Sequence, residues 1–316
     1  MNEHTKPLMV TIECCVYNHE PFLRQCLDGF VMQKTTFPFE AIVHDDASTD
    51  RSASIILEYA ERYPDIIKPI IQTENLYSKG KGQFERYLDS LLKGKYIAWC
   101  EGDDYWTDPL KLQKQVDFME EHPDYGLIHT MFDSTPIRRF TTSVPQNDDD
   151  NYLIDLLKRQ YTIGSLTALY RNSLYASLPK YYITHDFGRK DYPLWIEFAK
   201  VSKIKYLPDC TGVYRILENS MSHSKDTEVE INFHRRGWDC AKFYAKQYNI
   251  DVSFNMSFFY DACIKCAFNH KDKDTAHKYY LEAKKEQSLS LKGKLFYLAT
   301  KVPPLGYLIK AMYKYL

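Results

Sequence analysis

The four residues 101–104, Glu-Gly-Asp-Asp, place three carboxylates in one turn directly after the apolar run 96–100. That run has the length and composition of a short buried strand. Carboxylates that repel one another and lose hydration at the end of such a strand need a compensating cation. Their oxygens suit Mg²⁺ or Mn²⁺, which bind through one or two acidic side chains together with substrate phosphates. The turn therefore predicts a divalent-metal site, and the alternative is a solvated acidic turn.

Strand and helix patterns alternate with short connections through the first part of the chain, and this predicts a doubly wound, mainly parallel α/β sheet. In such sheets ligands bind beyond the carboxyl ends of the strands. Asn18, Asp46 and Asp104 each follow a predicted strand, so we expect them at one edge of the sheet. Pro69 indicates that the third strand lies at a sheet edge or is irregular. The predicted strands in this part are 8–16, 39–44, 66–72 and 96–100, and two short strands are predicted later, at 204–207 and 212–214.

The composition excludes several classes of protein. Lys and Arg number 41 against 42 Asp and Glu, which gives no electrostatic reason to expect a nucleic-acid partner. Eight cysteines in 316 residues form no disulfide framework, and Cys263 and Cys266 lack a second pair at zinc spacing, so both are expected in the core. Neither a signal peptide nor a run of about 18 apolar residues is present, which predicts a cytoplasmic protein without a transmembrane helix.

The C-terminal part differs from the rest, because from about Glu228 the pattern is helical without strands. We expect a domain over 1–222 and a helical region over 223–316. The tail 287–316 contains five lysines and no acidic residue. A basic amphipathic helix of this kind can lie on an anionic membrane surface. The alternative is that it packs against the main domain or a partner chain.

Three segments lie at the ends of predicted strands, and taken in order they resemble the motifs of glycosyltransferase family 2. They are Val10-Thr11-Ile12 through Tyr17-Asn18, the segment 43–50 (Val-His-Asp-Asp-Ala-Ser-Thr-Asp), and 101–104. The segment 190–195 and the closing segment 213–223 are similar to later motifs of the family, so the resemblance covers roughly residues 9–222. It implies the GT-A fold, a Rossmann-like mixed sheet that binds nucleotide-diphosphate sugars.

The resemblance implies roles on the donor side. The backbone around Cys15 and the ring of Tyr17 would hold the nucleotide base, and Asn18 would belong to the same site. Asp46 would bind the base or the ribose, and Asp103 would contact the ribose or the sugar. The donor would be a UDP-sugar, by its frequency in the family.

The phosphate side follows in the same way. Asp104 would bind the Mn²⁺ or Mg²⁺ ion that bridges the two phosphates, and His223 would be a second ligand. Arg215, with Ser220 or His223, would lie near the diphosphate as a lid.

The family's general base corresponds to Asp191. A single base without a protein nucleophile implies a single displacement, and hence inversion at the anomeric carbon. The family often has an acid immediately before the base, whereas this chain has Lys190, whose charge would lower the pKa of Asp191 and weaken it as a base. Asp186 is an alternative base. A purely structural alternative for Asp191 is capping of the following helix.

The sequence therefore predicts an inverting, metal-dependent transferase. It would add a sugar to a hydroxyl of a glycan or lipid-linked glycan in cell-surface polysaccharide biosynthesis, at the inner face of the membrane. One alternative is a nucleotide-sugar-binding subunit without catalysis, which Lys190 favours. A sugar nucleotidyltransferase would carry a glycine-rich basic loop where this chain has 14–18 (Cys-Cys-Val-Tyr-Asn). A phosphoacceptor receiver domain would be much shorter.

Overall fold

A computed structural model describes residues 6–80, 82–135, 138–139, 152–159, 163–217 and 224–314. The strands are β1 (Val10–Val16), β2 (Phe39–Asp45), β3 (Ile67–Ile71), β4 (Tyr96–Trp99), β5 (Tyr105–Trp106), β6 (Tyr125–Thr135), β7 (Arg138–Arg139), β8 (Leu169–Arg171) and β9 (Lys203–Arg215). The α-helices are α1 (Glu20–Val31), α2 (Ser52–Arg62), α3 (Gln83–Leu91), α4 (Lys111–Glu121), α5 (Tyr152–Arg159), α6 (Asn172–Ser177), α7 (Asp191–Val201), α8 (Thr227–Gln247), α9 (Ser257–Asn269), α10 (Lys273–Lys285), α11 (Leu291–Lys301) and α12 (Pro303–Lys314).

These strands form one mixed sheet in the order β3-β2-β1-β4-β8-β6-β9-β5, with β7 paired to β6. The neighbours in the β3-β2-β1-β4 portion are parallel, as are β6 and β9, whereas β8 is antiparallel to both β4 and β6. Most of the paired residues in the sheet belong to parallel strand pairs. The predicted α/β sheet is confirmed, and β3 with Pro69 lies at the sheet edge, where the missing N–H of proline is tolerated.

The first strands of the sheet are apolar in sequence because they lie in its core. Residues of β1 and of the second half of β2 are almost all buried, as expected for parallel strands covered on both faces. The helix α1 contributes Leu23, Leu27 and Phe30 at helical spacing to this core. Pro21 lies in the first turn of α1. Backbone N–H groups in this turn have no intrahelical acceptor, so proline costs the helix no hydrogen bond there.

One strand expectation was wrong. The sequence predicts two short strands at 204–207 and 212–214, whereas β9 is a single strand along β6 and ends at Arg215. Its register shifts around Met131 and Cys210, which marks a bulge or irregularity. The intervening residues 208–211 include a proline and the polar residues Asp209 and Thr211, so hydrophobic periodicity does not detect them as part of a strand.

The described residues divide into two compact units. The first comprises those up to 153, with 163–185 and 191–215, and contains the sheet. The second comprises 154–159, 186–190 and the described residues from 216 onward, and contains α8 to α12 around an aromatic core that includes Trp238 and Phe296. Within the described part of the chain, no helix combines the length and apolar character needed to cross a membrane.

Candidate functional site

The carboxyl ends of β1 and β2 are tied together by side-chain hydrogen bonds. Asn18 has left-handed backbone (φ 56°), and its Oδ1 accepts from Thr49 N at 2.8 Å. In return, Asn18 N donates to Ser48 Oγ at 2.9 Å. The carboxylate of Asp45 accepts from Ser48 N at 3.0 Å, which orients the same turn. The two strand-end loops are thus a single hydrogen-bonded unit at one edge of the sheet.

The acidic turn 101–104 joins this edge through the main chain. Gly102 N donates to Cys15 O at 3.0 Å, and Asp104 N donates to Glu101 O at 3.1 Å. A Cβ at position 102 would lie 2.8 Å from both His19 Nδ1 and Val16 Cγ2, so this close approach requires glycine. The structure therefore brings Asn18 and Asp104 to the same edge, as the sequence predicts.

Three carboxyl groups are crowded into this turn, and their mutual repulsion and burial disfavour the ionised forms of two of them. Asp104 is 2% exposed, and burial, followed by the charges of Asp103 and Glu101, raises its pKa well above the usual range. Burial and the charge of Asp103 raise the pKa of Glu101 to about 8, although Ser165 Oγ donates to its carboxylate at 2.9 Å. These carboxylates are suited to a divalent cation, because its positive charge would stabilise their ionised forms and lower the raised pKa values.

Arg215, the last residue of β9, lies beside the acidic turn. Its backbone N donates to Asp104 Oδ1 at 2.8 Å, and its guanidinium donates to Asp103 O and to Gln25 Oε1. The guanidinium carbon also lies 4.4 Å from the centre of the Tyr105 ring, a cation–π distance. The structure therefore places Arg215 beside Asp103 and Asp104, and its predicted role at the diphosphate stays a prediction.

The carboxylate of Asp46 holds a neighbouring loop. It is buried, and its two oxygens accept from Leu76 N at 2.7 Å and from Tyr77 N at 3.1 Å. Tyr17, in contrast, is 48% exposed at the end of β1. Of these two predicted base-binding residues, Asp46 thus has an evident structural role and Tyr17 presents an exposed ring surface.

Asp191 is the first residue of α7, and its charge contributes to the raised pKa of Glu101, which places it near the acidic turn. The alternative base Asp186 belongs to the second unit, where Arg236 Nη1 lies 3.4 Å from its Oδ1. Ser220 and His223 lie outside the described residues.

His19 belongs to the site, although the sequence motifs did not single it out. Its Nε2 lies 4.0 Å from Asp103 Oδ2, and its Nδ1 is buried without a hydrogen-bond partner in the described part of the chain. Burial lowers the pKa of His19, against the opposing charge of Asp103. A histidine directly after the polar end of β1 was the available signal.

The sequence model of a protein family described as Glycosyl transferase family 2 matches residues 11–176, which is more than half of the chain. The chain belongs to glycosyl transferase family 2. This match covers the acidic turn and both strand-end loops, and it confirms the resemblance drawn from the motifs.

Two family relatives and one solved structure are informative. An uncharacterised protein of Mycobacterium tuberculosis (strain ATCC 25618 / H37Rv) is 35% identical over 232 residues, 71% of this chain. The chain spans only 64% of that relative's length. The Escherichia coli UDP-Glc:alpha-D-GlcNAc-diphosphoundecaprenol beta-1,3-glucosyltransferase WfgD is 23% identical over 270 residues, 84% of this chain and 97% of that protein.

The solved structure is the mannosyltransferase PcManGT from Pyrobaculum calidifontis in complex with GDP-Man and Mn²⁺. It matches with a TM-score of 0.53 at 17% identity, and the match covers 98% of this chain and 87% of the mannosyltransferase. At this identity the likeness shows a common fold, and it agrees with the mixed sheet expected for the family.

Proposed function

We propose that this chain is a metal-dependent, inverting glycosyltransferase that moves a sugar from a nucleoside diphosphate onto a hydroxyl of a glycan or lipid-linked glycan. The observation that carries the proposal is the acidic turn with its buried Asp104. Asp103 and Glu101 destabilise the ionised form of Asp104, and the backbone N of Arg215 donates to the Asp104 carboxylate. The UDP-sugar and lipid-linked acceptor named for the E. coli relative, and the nucleotide sugar and Mn²⁺ bound by the mannosyltransferase, support this assignment.

Each group in the site has a proposed task. Asp104 would hold the cation, which would supply positive charge against the diphosphate leaving group. Arg215 adds a second positive charge beside that group. Tyr17 stacks on the base, and Asp103 binds the ribose or sugar. Cys15, Asn18 and Asp46 shape this donor site, and Ser220 and His223 are retained as proposed phosphate-side residues.

Proton transfer is assigned to Asp191. A side-chain carboxylate near the acidic turn can accept the proton of the acceptor hydroxyl as the new bond forms. No protein nucleophile is needed on the opposite face of the sugar, so the product is inverted at the anomeric carbon.

Binding of the donor can be tested by titration calorimetry with UDP, GDP, CDP and dTDP, each with and without Mn²⁺. We expect one nucleotide to bind in a metal-dependent manner and Asp104→Asn to abolish the metal dependence. Asp124→Asn is the control, since Asp124 is a half-exposed surface acid paired with Lys203. Failure of every nucleotide to bind in the presence of Mn²⁺ or Mg²⁺ would refute the proposal.

Catalysis separates the enzyme from a binding subunit. Asparagine caps helices as well as aspartate does, so Asp191→Asn preserves any capping role. We expect it to retain nucleotide binding and to lose about 10²- to 10⁴-fold in kcat, the usual contribution of a general base. The anomeric configuration of the product, read by NMR, tests inversion. If Asp186→Asn lost activity and Asp191→Asn did not, the base would be Asp186.

We further propose that an exposed stripe formed by α11 and the residue that follows it lies on an anionic membrane surface; it consists of Leu291, Leu295, Leu298 and Val302. These residues recur at intervals of four, three and four, and each is exposed, while Phe296 and Tyr297 on the same helix are buried in the core. The neighbouring lysines are exposed as well: Lys292, Lys294 and Lys301. Apolar residues flanked by lysines fit the interface of anionic lipids.

Co-sedimentation with vesicles tests this surface. We expect binding to phosphatidylglycerol vesicles, weak binding to phosphatidylcholine vesicles, and loss of binding in Leu295→Asp. Leu281→Asp is the matched control, because Leu281 is a similarly exposed leucine on α10. Equal binding of the two variants, or a shift of wild-type protein to a stable oligomer without vesicle binding, would exclude the membrane assignment.

A further inference from the structure

A second group of metal-ligating side chains lies in the helical unit, and the donor site does not use it. Glu230 on α8, Cys266 on α9 and His270 at the C-terminus of α9 bring their ligand atoms within 4.8 Å of one another. His270 Nε2 is 2.9 Å from Glu230 Oε2. Cys266 is 2% exposed, and the side chains of His270 and Glu230 are 20% and 16% exposed. The group is therefore largely shielded from solvent.

The secondary structure explains how these residues meet. Cys266 and His270 are four residues apart, so they occupy the same face of α9, one turn from each other. Glu230 comes from α8, whose Ile231 belongs to the same buried cluster as Cys266. Packing of the two helices thus brings Glu230 to a partner 40 residues away in the sequence.

The spacing suits a tetrahedral ion. Zinc–ligand bonds of about 2.0 to 2.3 Å place neighbouring ligand atoms about 3.5 Å apart. His270 Nε2 and Glu230 Oε2 are 2.9 Å apart, and all three ligand atoms lie within 4.8 Å of one another, so small rotations of the side chains would bring them to the zinc spacing. Such rotations are within the reach of ordinary rotamer adjustment.

We propose that Glu230, Cys266 and His270 bind Zn²⁺, with water as the fourth ligand. A thiolate, an imidazole and a carboxylate form a borderline-soft set that selects zinc, whereas the all-oxygen acids of the turn 101–104 suit Mg²⁺ or Mn²⁺. Binding releases the thiol proton and joins one divalent cation to two anions and a neutral imidazole. The site is then formally neutral, which removes the cost of burying a net charge.

The ion would cross-link α8 and α9 within the helical unit. In the structure the Cys266 thiol donates to Thr227 O at 3.8 Å, and His270 Nε2 pairs with Glu230 Oε2 at 2.9 Å. Because zinc binds only the folded arrangement, its free energy of binding adds to the stability of the unit.

The test uses the untagged full chain, stripped with a chelator, incubated with one equivalent of ZnCl₂, desalted and analysed for metal. We expect one zinc per chain, and a thiolate-to-metal charge-transfer band when Co²⁺ replaces Zn²⁺. Cys266→Ser and His270→Ala should weaken zinc binding about 100-fold or more, beyond the roughly 10- to 100-fold typical of residues that only support a ligand. Thermal unfolding should shift upward with zinc only where binding persists.

Cys263→Ser is the matched control, since Cys263 is a buried thiol of the same helix outside the ligand set, and it should bind zinc like wild type. Glu230→Gln is an isosteric second ligand variant if Cys266→Ser does not fold. Asp104→Asn should retain zinc, which separates this result from any failure of the donor site. Absence of zinc from the wild-type chain, or its retention by Cys266→Ser and His270→Ala, would overturn the proposal.

Discussion

Lys111 provides a quantitative test of the packing beneath the acidic turn. It is the first residue of α4 and is fully buried, with Nζ donating to Gln115 Oε1 at 2.8 Å and lying 4.2 Å from the centre of the Trp106 ring. Burial lowers the pKa of Lys111 from 10.5 to about 7. The hydrogen bond and the ring only partly replace the lost hydration of the ammonium group.

The sign of the effect on stability follows from proton binding. Between pH 7 and 10.5 the unfolded chain holds the Lys111 proton more often than the folded chain does, so the free energy of unfolding rises with pH. A full pH unit within this window contributes about 1.4 kcal/mol. From pH 7, where the folded group is half protonated, to pH 9, Lys111 should therefore add about 2 kcal/mol of stability.

The assay is urea unfolding of wild type and Lys111→Met at pH 7 and pH 9. Methionine keeps an unbranched chain without a charge, so the variant should lack the gain of about 2 kcal/mol that wild type shows between these pH values. Lys114→Met is the control, because Lys114 pairs with Asp108 and Asp209 and its raised pKa keeps it charged throughout the window. Equal pH dependence in wild type and Lys111→Met would refute the reasoning.

Three further substitutions test the strand-end loops by urea unfolding. Gly102→Ala places a methyl group against His19 and should cost about 1 to 3 kcal/mol, as overpacking does, and equal stability would show that the turn can shift. Asp46→Ala leaves two backbone N–H groups without their charged acceptor, so it should lower the free energy of unfolding by about 3 kcal/mol. It should also speed proteolysis within 73–80, and unchanged proteolysis would contradict this. Asn18→Gly should be about 1 kcal/mol more stable than Asn18→Ala, because only the alanine is strained at φ 56°; the reverse order would exclude strain at this position.

The part of the fold that can be predicted from the sequence is the part set by local signals. Buried parallel strands such as β1 and β4 are continuous apolar runs, and their ends are marked by polar residues. Parallel strands of this kind have their carboxyl ends at one edge, so the sequence alone is enough to place Asn18 and Asp104 together. The length of β9 cannot be predicted in this way, because its partly exposed residues are held by pairing with β6.

Contacts that depend on tertiary packing have no comparable local signal. The acceptors for Leu76 and Tyr77 are the oxygens of Asp46, about thirty residues earlier, and no local pattern indicates that pairing. The spacing of Cys263 and Cys266 matches no zinc motif, and both are buried as expected. The proposed zinc ligands Glu230, Cys266 and His270 come together only when α8 packs on α9. The roles of the individual donor-site residues remain predictions.

The two hydrogen bonds from the 76–77 amides to Asp46 have a consequence for engineering of donor preference. Substitutions at Asp46, a proposed donor-binding residue, would disturb the loop conformation as well as the proposed donor contact, so an effect on specificity could not be separated from misfolding. Tyr17 is half-exposed, and its side chain can be varied with little cost to the fold. On the proposed assignment of Tyr17 to the nucleotide base, a library aimed at a new nucleotide should therefore randomise position 17 and keep position 46 constant.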